Sequence, residues 1–276
     1  MEAKTAARRI TYASVAYFGV LLLWWVWINV TGLRETPQNY YFGGAYALIG
    51  VVGGLLGLAS ARSWGGWKSV MGRAIIFLSL GLWGQSFGQL VWAFYNAILH
   101  VEVPYPSIAD IGYFSLIPFN ALAMWHLARA AGARFSLRAV TGRIQLALVP
   151  LAMLVISYYL FLRGYELDLV APVKVFLDFG YPMGEAIDIS LAILAFMLTR
   201  AFLGGVMKWR VLYIVLAFVI QYVTDYTFLY RASRELYYNA GPVDLMYMTS
   251  FLFMTIGLVR LRYQEAVSDG RRAPKN

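Results

Sequence analysis

The feature that most constrains this chain is a series of apolar stretches, each of roughly 20 residues, which is the length a helix needs to cross a bilayer. Inside the hydrocarbon core only helices and closed barrels satisfy their own backbone hydrogen bonds. We therefore predict an all-α integral membrane bundle of eight transmembrane helices, forming one domain over residues 1–276. The predicted spans are Ile10–Val30, Phe42–Ser60, Ala74–Leu99, Ile108–Ala128, Ile144–Leu162, Val173–Leu198, Val211–Tyr230 and Val243–Val259.

The composition agrees with this class of protein. Apolar and aromatic residues make up 61% of the chain and charged residues only 13%, which argues against a disordered chain and an ordinary soluble enzyme. The absence of cysteine excludes disulfides, thiolate zinc sites and cysteine nucleophiles, and two histidines argue against a histidine-rich metal centre. No motif for a metalloprotease, a hydrolase, a phosphate-binding loop or a nucleic-acid-binding module is present. We expect no enzymatic activity, no cofactor and no nucleic-acid partner.

The distribution of basic residues predicts the orientation of the chain. If the eight spans are correct, 18 of the 23 Lys and Arg residues lie in the termini and in alternate loops on one side of the membrane. Basic residues concentrate in cytoplasmic loops, so this pattern predicts that both termini are cytoplasmic. We expect a multi-pass protein of the cell membrane, with the lipid bilayer as its first partner and a short basic cytoplasmic tail at 263–276.

The two halves of the chain carry matching residues at a nearly constant spacing, which predicts an internal repeat. The halves run from about 8 to 130 and from about 142 to 262, with four predicted spans in each. Because four is an even number, both halves enter the membrane from the same side, and the repeat is parallel. The clearest matches pair Gln85-xxx-Gln89-xx-Trp92 with Gln221-xxx-Asp225-xx-Phe228, and Asp110-xx-Tyr113 with Asp244-xx-Tyr247.

The sixth predicted span carries an unusual row of polar residues. Asp178, Tyr181, Glu185 and Asp188 follow one another at steps of three, four and three, so they share one helix face. Ionisable residues inside a span are costly, and they are functional candidates for that reason. Two carboxylates one turn apart do not both ionise in a low dielectric unless a cation neutralises them. The structural alternatives are an ion pair with Lys174 or a buried polar network, and simple packing for Tyr181.

Other predicted spans also place polar groups in their outer halves, which predicts an acidic, aromatic-lined cavity open to the outside. Asp110 and Asp244 lie in the first turns of their helices, where the structural alternative, which we favour, is capping of free N–H groups. The glutamines have an alternative role in interhelical hydrogen bonds. Together with the sixth span, the predicted ligand- or cation-binding residues are Glu185, Asp188, Asp225, Asp178, Gln89, Gln221, Asp110, Asp244, Tyr181 and Trp92.

Small residues at helical spacing predict where helices pack closely. The pairs Gly50-xxx-Gly54, Gly53-xxx-Gly57 and Gly84-xxx-Gly88 let two backbones approach each other. We interpret them as packing seams.

Residues 85–260 resemble a family of multi-pass membrane input domains that precede GGDEF cyclase or EAL phosphodiesterase domains in bacterial signalling proteins. The segment from Pro104 to Tyr113 resembles the Pro-Ser-x-Ala-Asp-x-x-Tyr motif of that family, and Tyr181-Pro-Met-Gly-Glu185 resembles its Tyr-Pro-x-Gly-Asp motif, with Glu in place of Asp. Asp225 and Asp244 correspond to two later acidic positions. Because no output domain follows the last span, the resemblance implies signalling through a separate partner.

These observations leave three functions open. The first is a sensor-like protein whose outer cavity binds a small ligand or cation and shifts the helix packing around Pro118 and Pro182. The second is a proton- or cation-coupled transporter, although few polar groups are predicted in the inner half of the spans. The third is a non-catalytic subunit of a membrane complex that docks through the first three spans.

Overall fold

The computed structural model describes residues 2–130, 171–202 and 204–262, with single positions at 148, 151, 152, 155 and 159. The described residues form seven long helices and no strand. The predicted span Ile144–Leu162 lies outside the continuously described residues. The helices are α1 (Glu2–Val30), α2 (Pro37–Ser63), α3 (Val70–Phe94), α4 (Ile108–Ala130), α5 (Pro172–Phe202), α6 (Gly204–Ala232) and α7 (Pro242–Arg260).

Six of these helices are long and apolar enough to cross a membrane, namely α1, α2, α3, α4, α6 and α7. The prediction of an all-helical membrane bundle is therefore confirmed at this level. Helix α5 matches the sixth predicted span in position but is not among the six. Its first half carries Lys174, Asp178, Glu185 and Asp188, which lower its hydropathy.

Local sequence signals explain where several helices begin. Thr36 and Asn39 form a capping box at the start of α2, and Pro37 occupies its first turn. The Ser69 hydroxyl accepts a hydrogen bond from the Gly72 N–H at 2.8 Å and caps α3. A one-turn π-helix, Tyr95–Leu99, continues α3.

The helices α2 to α7 form a closed ring. Each packs against the next along the chain, and α7 packs back against α2. Helix α1 lies outside the ring, against α2 and α7. The connections 31–36, 95–107 and 233–241 lie at one end of the ring, which we call the upper end. The core contains an aromatic chain in which the Tyr46 ring contacts Phe42 at 5.6 Å and Phe251 at 5.8 Å between centroids.

Helices α4 and α5 run in the same direction. Near their upper ends, the Phe114 ring packs on Phe176 with centroids 5.1 Å apart. Further down, Ile117 on α4 lies against Gly184 on α5. The residues of α5 that contact α4 therefore move down α5 as the chain runs down α4. Consequently α4 ends at the lower end of the ring, and α5 begins at the upper end.

Glycines on α2 allow it to lie very close to α3 and α7, as the sequence predicts. A Cβ atom added at Gly54 would overlap the Trp83 indole of α3, and one at Gly53 would overlap Thr255 of α7. The Trp83 Nε1 donates to the Val51 carbonyl at 2.9 Å, a contact that the absent side chain of Gly54 permits. This packing seam is confirmed.

The 233–241 connection is tied to the first two helices by hydrogen bonds. From α1, Trp25 Nε1 donates to the Gly241 carbonyl at 3.0 Å, and Asn29 Nδ2 donates to the Ala240 carbonyl at 3.0 Å. From α2, Asn39 Nδ2 donates to the Asn239 carbonyl at 2.9 Å. These contacts hold the connection over the upper end of the ring.

Candidate functional site

A cavity of about 330 Å³ opens at the upper end, between α3, α4, α5, α6 and the start of α7. Four carboxyl groups line it, and no Lys, Arg or His side chain does so among the described residues. The acidic lining residues are Asp110, Asp178, Glu185 and Asp225. The aromatic lining residues are Trp92, Tyr105, Tyr113, Tyr181, Tyr226, Phe228, Tyr237, Tyr247 and Phe251.

Helices α5 and α6 bring two of these carboxyl groups together at the cavity wall. The side chains of Glu185 and Asp225 lie in hydrogen-bonding contact. Two carboxyl groups make such a contact only when a proton lies between them. The charges that act on Glu185 are those of Asp225 and Asp188, so Lys174 does not neutralise it. Lys174 therefore does not form the ion pair that the sequence left open, and the contact between Glu185 and Asp225 does not depend on it.

Neutral donors orient the Asp225 carboxylate toward the cavity. The Gln221 Nε2 group donates to its two oxygens at 3.1 and 3.0 Å, and the Tyr247 hydroxyl donates to Oδ1 at 2.8 Å. These donors are uncharged, so they fix the geometry of the carboxylate without cancelling its charge. The site thus retains negative charge for a ligand.

Asp110 combines the two roles that the sequence left open. Its Oδ2 accepts from the Ser107 backbone N–H at 2.7 Å. The Ser107 hydroxyl in turn accepts from the Ala109 N–H at 3.2 Å. These two hydrogen bonds form a capping box at the start of α4. The other Asp110 oxygen accepts from the Tyr181 hydroxyl at 2.9 Å and lines the cavity. Tyr181 therefore links α4 and α5 by a hydrogen bond in addition to packing between them.

Asp178 lies near the mouth of the cavity. The Tyr105 hydroxyl donates to its Oδ1 at 2.8 Å, which joins the 95–107 connection to α5. Tyr105 itself is exposed. One turn further along α5, Pro182 also lines the cavity. Pro182 lies inside α5 and has no N–H to donate to the backbone of the preceding turn.

Three aromatic rings form one wall of the cavity. The Trp92 ring meets Phe228 and Tyr237 edge to face, with centroids 6.2 and 6.1 Å apart. Phe228 and Tyr237 meet each other in the same way at 5.0 Å. The Trp92 Nε1 donates to Asn239 Oδ1 at 2.9 Å, which fixes the indole against the 233–241 connection. Such edge-to-face clusters hold ring orientations firmly.

Asp244 does not line the cavity. Its Oδ2 accepts from the Ala240 backbone N–H at 2.6 Å, and its Oδ1 accepts from the Tyr237 hydroxyl at 3.2 Å. Burial raises the pKa of the Tyr237 phenol, and the negative charge of the neighbouring Asp244 raises it further. The Tyr237 hydroxyl therefore stays protonated and donates. The structure therefore places Asp244 in a cap that holds the 233–241 connection, the structural role considered from the sequence.

Gln89 and Gln221 have different environments. The Gln89 Oε1 accepts from the Tyr113 hydroxyl at 3.0 Å, a hydrogen bond between α3 and α4 at the cavity wall. Gln221 lines the cavity with its amide group and also lines a smaller void of about 10 Å³ beneath the floor.

Asp188 lies below the cavity and does not line it. The Asn120 amide of α4 lies beside its carboxyl group, and Asn120 lines the small void. No donor reaches either Asp188 oxygen with hydrogen-bonding geometry. Among the described residues, no group of three or more His, Asp and Glu side chains is arranged to hold a metal ion.

Several residues of the site were not predicted from the sequence. The hydroxyls of Tyr113 and Tyr247 hold Gln89 and Asp225, and they occupy matching positions in the two Asp-xx-Tyr segments, which was a usable signal. Asn120 had no such signal, because a single amide in an apolar span is common at helix contacts.

No protein-family model, curated protein or solved structure matches this chain.

Proposed function

We propose that this protein is a sensor-like membrane protein that binds a small organic cation in the cavity. The observation that carries the proposal is the lining itself, which combines four carboxyl groups, a wall of aromatic rings and no described basic side chain. A volume of about 330 Å³ lies within the range of small-molecule sites. The binding event is communicated to a separate partner protein.

The chemistry of the lining favours an alkylammonium group over a metal ion. Aromatic faces attract a cation, and quaternary ammonium groups are recognised by cages of such rings. The Glu185 and Asp225 pair would exchange its shared proton for the charge of the ligand. A neutral solute of the same shape leaves that charge uncompensated, so the site should discriminate strongly against it.

Choline and 3,3-dimethylbutanol, which have nearly the same shape but differ in charge, test this proposal directly. We expect choline to raise the unfolding temperature of the protein in nanodiscs in a saturable manner, because the ligand binds the folded state. The neutral alcohol should give no saturable shift. Equal shifts from both compounds would indicate non-specific partitioning and would contradict an organic-cation site.

The family resemblance adds support for a sensory role. Asp110 and Tyr113 of the first motif, and Tyr181 and Glu185 of the second, all line the cavity. The motifs that carry the resemblance thus meet at one site. We propose that ligand binding alters the packing of α5 near Pro182 and that this change is read at the lower end of the bundle. A sensor of this kind requires two states with different ligand affinity.

A cation-coupled carrier is the second candidate, because polar groups continue below the cavity floor. Asn120 and Asp188 extend the polar interior toward the lower end beyond Gln221. Uptake of labelled choline into proteoliposomes distinguishes the two functions. Saturable uptake above that of protein-free liposomes supports a carrier, and binding without uptake supports a sensor.

We further propose eight membrane spans with both termini cytoplasmic, in the plasma membrane. Helices α4 and α5 run parallel, and we propose that the predicted span Ile144–Leu162 returns the chain from the lower to the upper end. The Lys and Arg distribution favours a cytoplasmic lower end.

Single cysteines test this orientation cleanly, because the natural chain contains no cysteine. We expect an impermeant maleimide added to intact cells to label Ser233→Cys, which lies in an exposed upper connection, and not Lys68→Cys, which is exposed at the lower end. Labelling of Lys68→Cys should appear only after permeabilisation. The reverse pattern would place the cavity on the cytoplasmic side.

A parallel repeat of four plus four spans is supported by equivalent contacts in the two halves. The Tyr113 hydroxyl donates to Gln89, and at the matching positions the Tyr247 hydroxyl donates to Asp225. The closed ring also has the pattern that a two-fold arrangement produces, because the contacts α2–α3, α3–α4 and α4–α5 correspond to α5–α6, α6–α7 and α7–α2.

A further inference from the structure

We propose that the cavity binds an aliphatic diamine, a flexible chain with a primary ammonium group at each end. The inner ammonium group would lie at Glu185 and Asp225, and the outer one at Asp178 and Asp110. This inference rests on the proposed function and deepens it, because it names the class of organic cation.

The first argument is that the carboxyl groups lie at two depths of one cavity. Asp178 and Glu185 are seven residues apart on α5, and both line the cavity. Seven residues advance a helix by about 10 Å in almost two full turns, so the two side chains leave the same face at different levels. Tyr181 and Pro182 line the cavity between them, so the cavity is continuous from one level to the other.

Helices α4 and α6 add one carboxyl group at each level. Phe114 of α4 lies against Gly180 of α5. One turn nearer the upper end, Asp110 therefore lies level with the turn of α5 that carries Asp178. At the inner level, Asp225 of α6 is the second carboxyl group. The cavity thus has one pair of carboxyl groups near its mouth and another pair near its floor.

The second argument is the charge of the lining. Four carboxyl groups line the cavity and the inner pair shares one proton, which leaves three negative charges before a ligand binds. Lys174 lies one turn above Asp178 on α5 and does not line the cavity. A ligand with one positive charge that displaces the shared proton leaves the net charge unchanged. A dication lowers it, and its second charge stabilises the outer carboxylates.

The third argument is a buried acceptor without a donor at the inner level. Gln221 is 6% exposed and lines the cavity. Its Nε2 group donates to both oxygens of Asp225, whereas its Oε1 has no hydrogen-bond partner. Buried acceptors are nearly always satisfied, so this oxygen points to a bound donor. A primary ammonium group carries three N–H donors, which suits this acceptor and the two carboxyl groups together, whereas a quaternary ammonium group carries none.

The cavity also has room for the chain that joins the two ammonium groups. Its volume of about 330 Å³ is roughly ten times the share of one water molecule in the liquid. An extended chain advances roughly 1.2 Å per single bond, so six methylene groups place two terminal nitrogen atoms roughly 8 Å apart. Each end can then reach one pair of carboxyl groups. The methylene groups would pack on the rings of Tyr181 and Phe228, as lysine stems pack on apolar surface.

Hexane-1,6-diamine and 6-aminohexan-1-ol test this inference, because they have nearly the same length and differ by one charge. In isothermal titration against the protein in nanodiscs of zwitterionic lipid, we expect the diamine to bind about tenfold more tightly. Propane-1,3-diamine carries both charges but is too short to reach both levels, so it should lose most of this advantage. A choline titration under the same conditions shows whether the cavity binds an organic cation at all.

The Asp178→Asn variant tests the outer level. It keeps the shape of the side chain and an acceptor for the Tyr105 hydroxyl but lacks the charge. Its affinity for the diamine should fall about tenfold, so that the diamine and the amino alcohol bind almost equally. Glu102→Gln, which removes an exposed acid that does not line the cavity, should keep the preference in full.

Two results would overturn the diamine site. One is equal affinity of the wild type for the diamine and the amino alcohol, and the other is a preference that Asp178→Asn keeps in full. If choline binds in either case, the organic-cation site stands and only the class of ligand is wrong. If neither choline nor the diamine binds, both proposals fail.

Discussion

The double variant Glu185→Gln/Asp225→Asn should lose choline binding while remaining folded. Charge-assisted contacts contribute about 1.5–3 kcal/mol each, so removal of both carboxylates should weaken binding by at least about 100-fold. Stability without ligand should not fall, because the two carboxyl groups face each other in a buried site and the amides remove that conflict. If the double variant is more stable than the wild type but binds choline less tightly, the two carboxyl groups serve binding at a cost in stability, as expected of a functional site.

Isothermal titration of choline against the wild type, the two single variants and the double variant completes this test. Because both groups contact one ligand and each other, the single effects should not add. Glu102→Gln, which removes a carboxylate from an exposed connection, should bind as the wild type does. If the double variant binds choline normally, or if it unfolds much more easily, the pair is a structural network and the cavity is not an organic-cation site.

Asp244→Ala should have the opposite signature, a large loss of stability with little change in choline affinity once the protein is folded. The substitution removes the acceptor of the Ala240 N–H and of the Tyr237 hydroxyl, both at a buried position. Leaving two such donors unsatisfied costs about 3 kcal/mol, which corresponds to a fall of about 6–12 °C in the unfolding temperature.

Asp244→Asn is the informative companion variant. It retains one carbonyl oxygen that can accept from Ala240, so its loss of stability should be smaller than that of Asp244→Ala. Choline affinity is measured by titration at low temperature, where both variants are folded. A normal unfolding temperature for Asp244→Ala, or a loss of affinity as large as that of the Glu185 and Asp225 variant, would contradict a purely structural role.

The two halves of the ring use equivalent positions for different purposes. On α3 the position is Gln89, a neutral amide held by Tyr113, whereas on α6 it is Asp225, a carboxylate held by Tyr247. Among the described residues of the ring, the carboxyl groups thus lie mainly on α5 and α6. In the proposed function, this asymmetry would direct the ammonium group of a ligand toward one side of the cavity and its remainder toward the aromatic wall.

Much of the fold was predictable because a membrane imposes simple constraints on a sequence. Apolar runs, Gly50 and Gly54 on one helix face, and the concentration of basic residues in alternate loops each report a local physical requirement. The row Asp178, Tyr181, Glu185 and Asp188 could be assigned to one helix face for the same reason. Helical periodicity sets the angular position of each side chain around its own helix, so this prediction requires no knowledge of the neighbouring helices.

The sequence by itself determined the helical class, the acidic face of α5 and the candidate residues, because these depend on composition and on the 3.6-residue period. Only the tertiary structure decided which candidates meet. It pairs Glu185 with Asp225, turns Asp244 toward Ala240 and away from the cavity, and buries Asp188 beside Asn120. The physical reason is that contacts between helices depend on how far each is shifted and rotated against its neighbours, which packing across the whole ring sets.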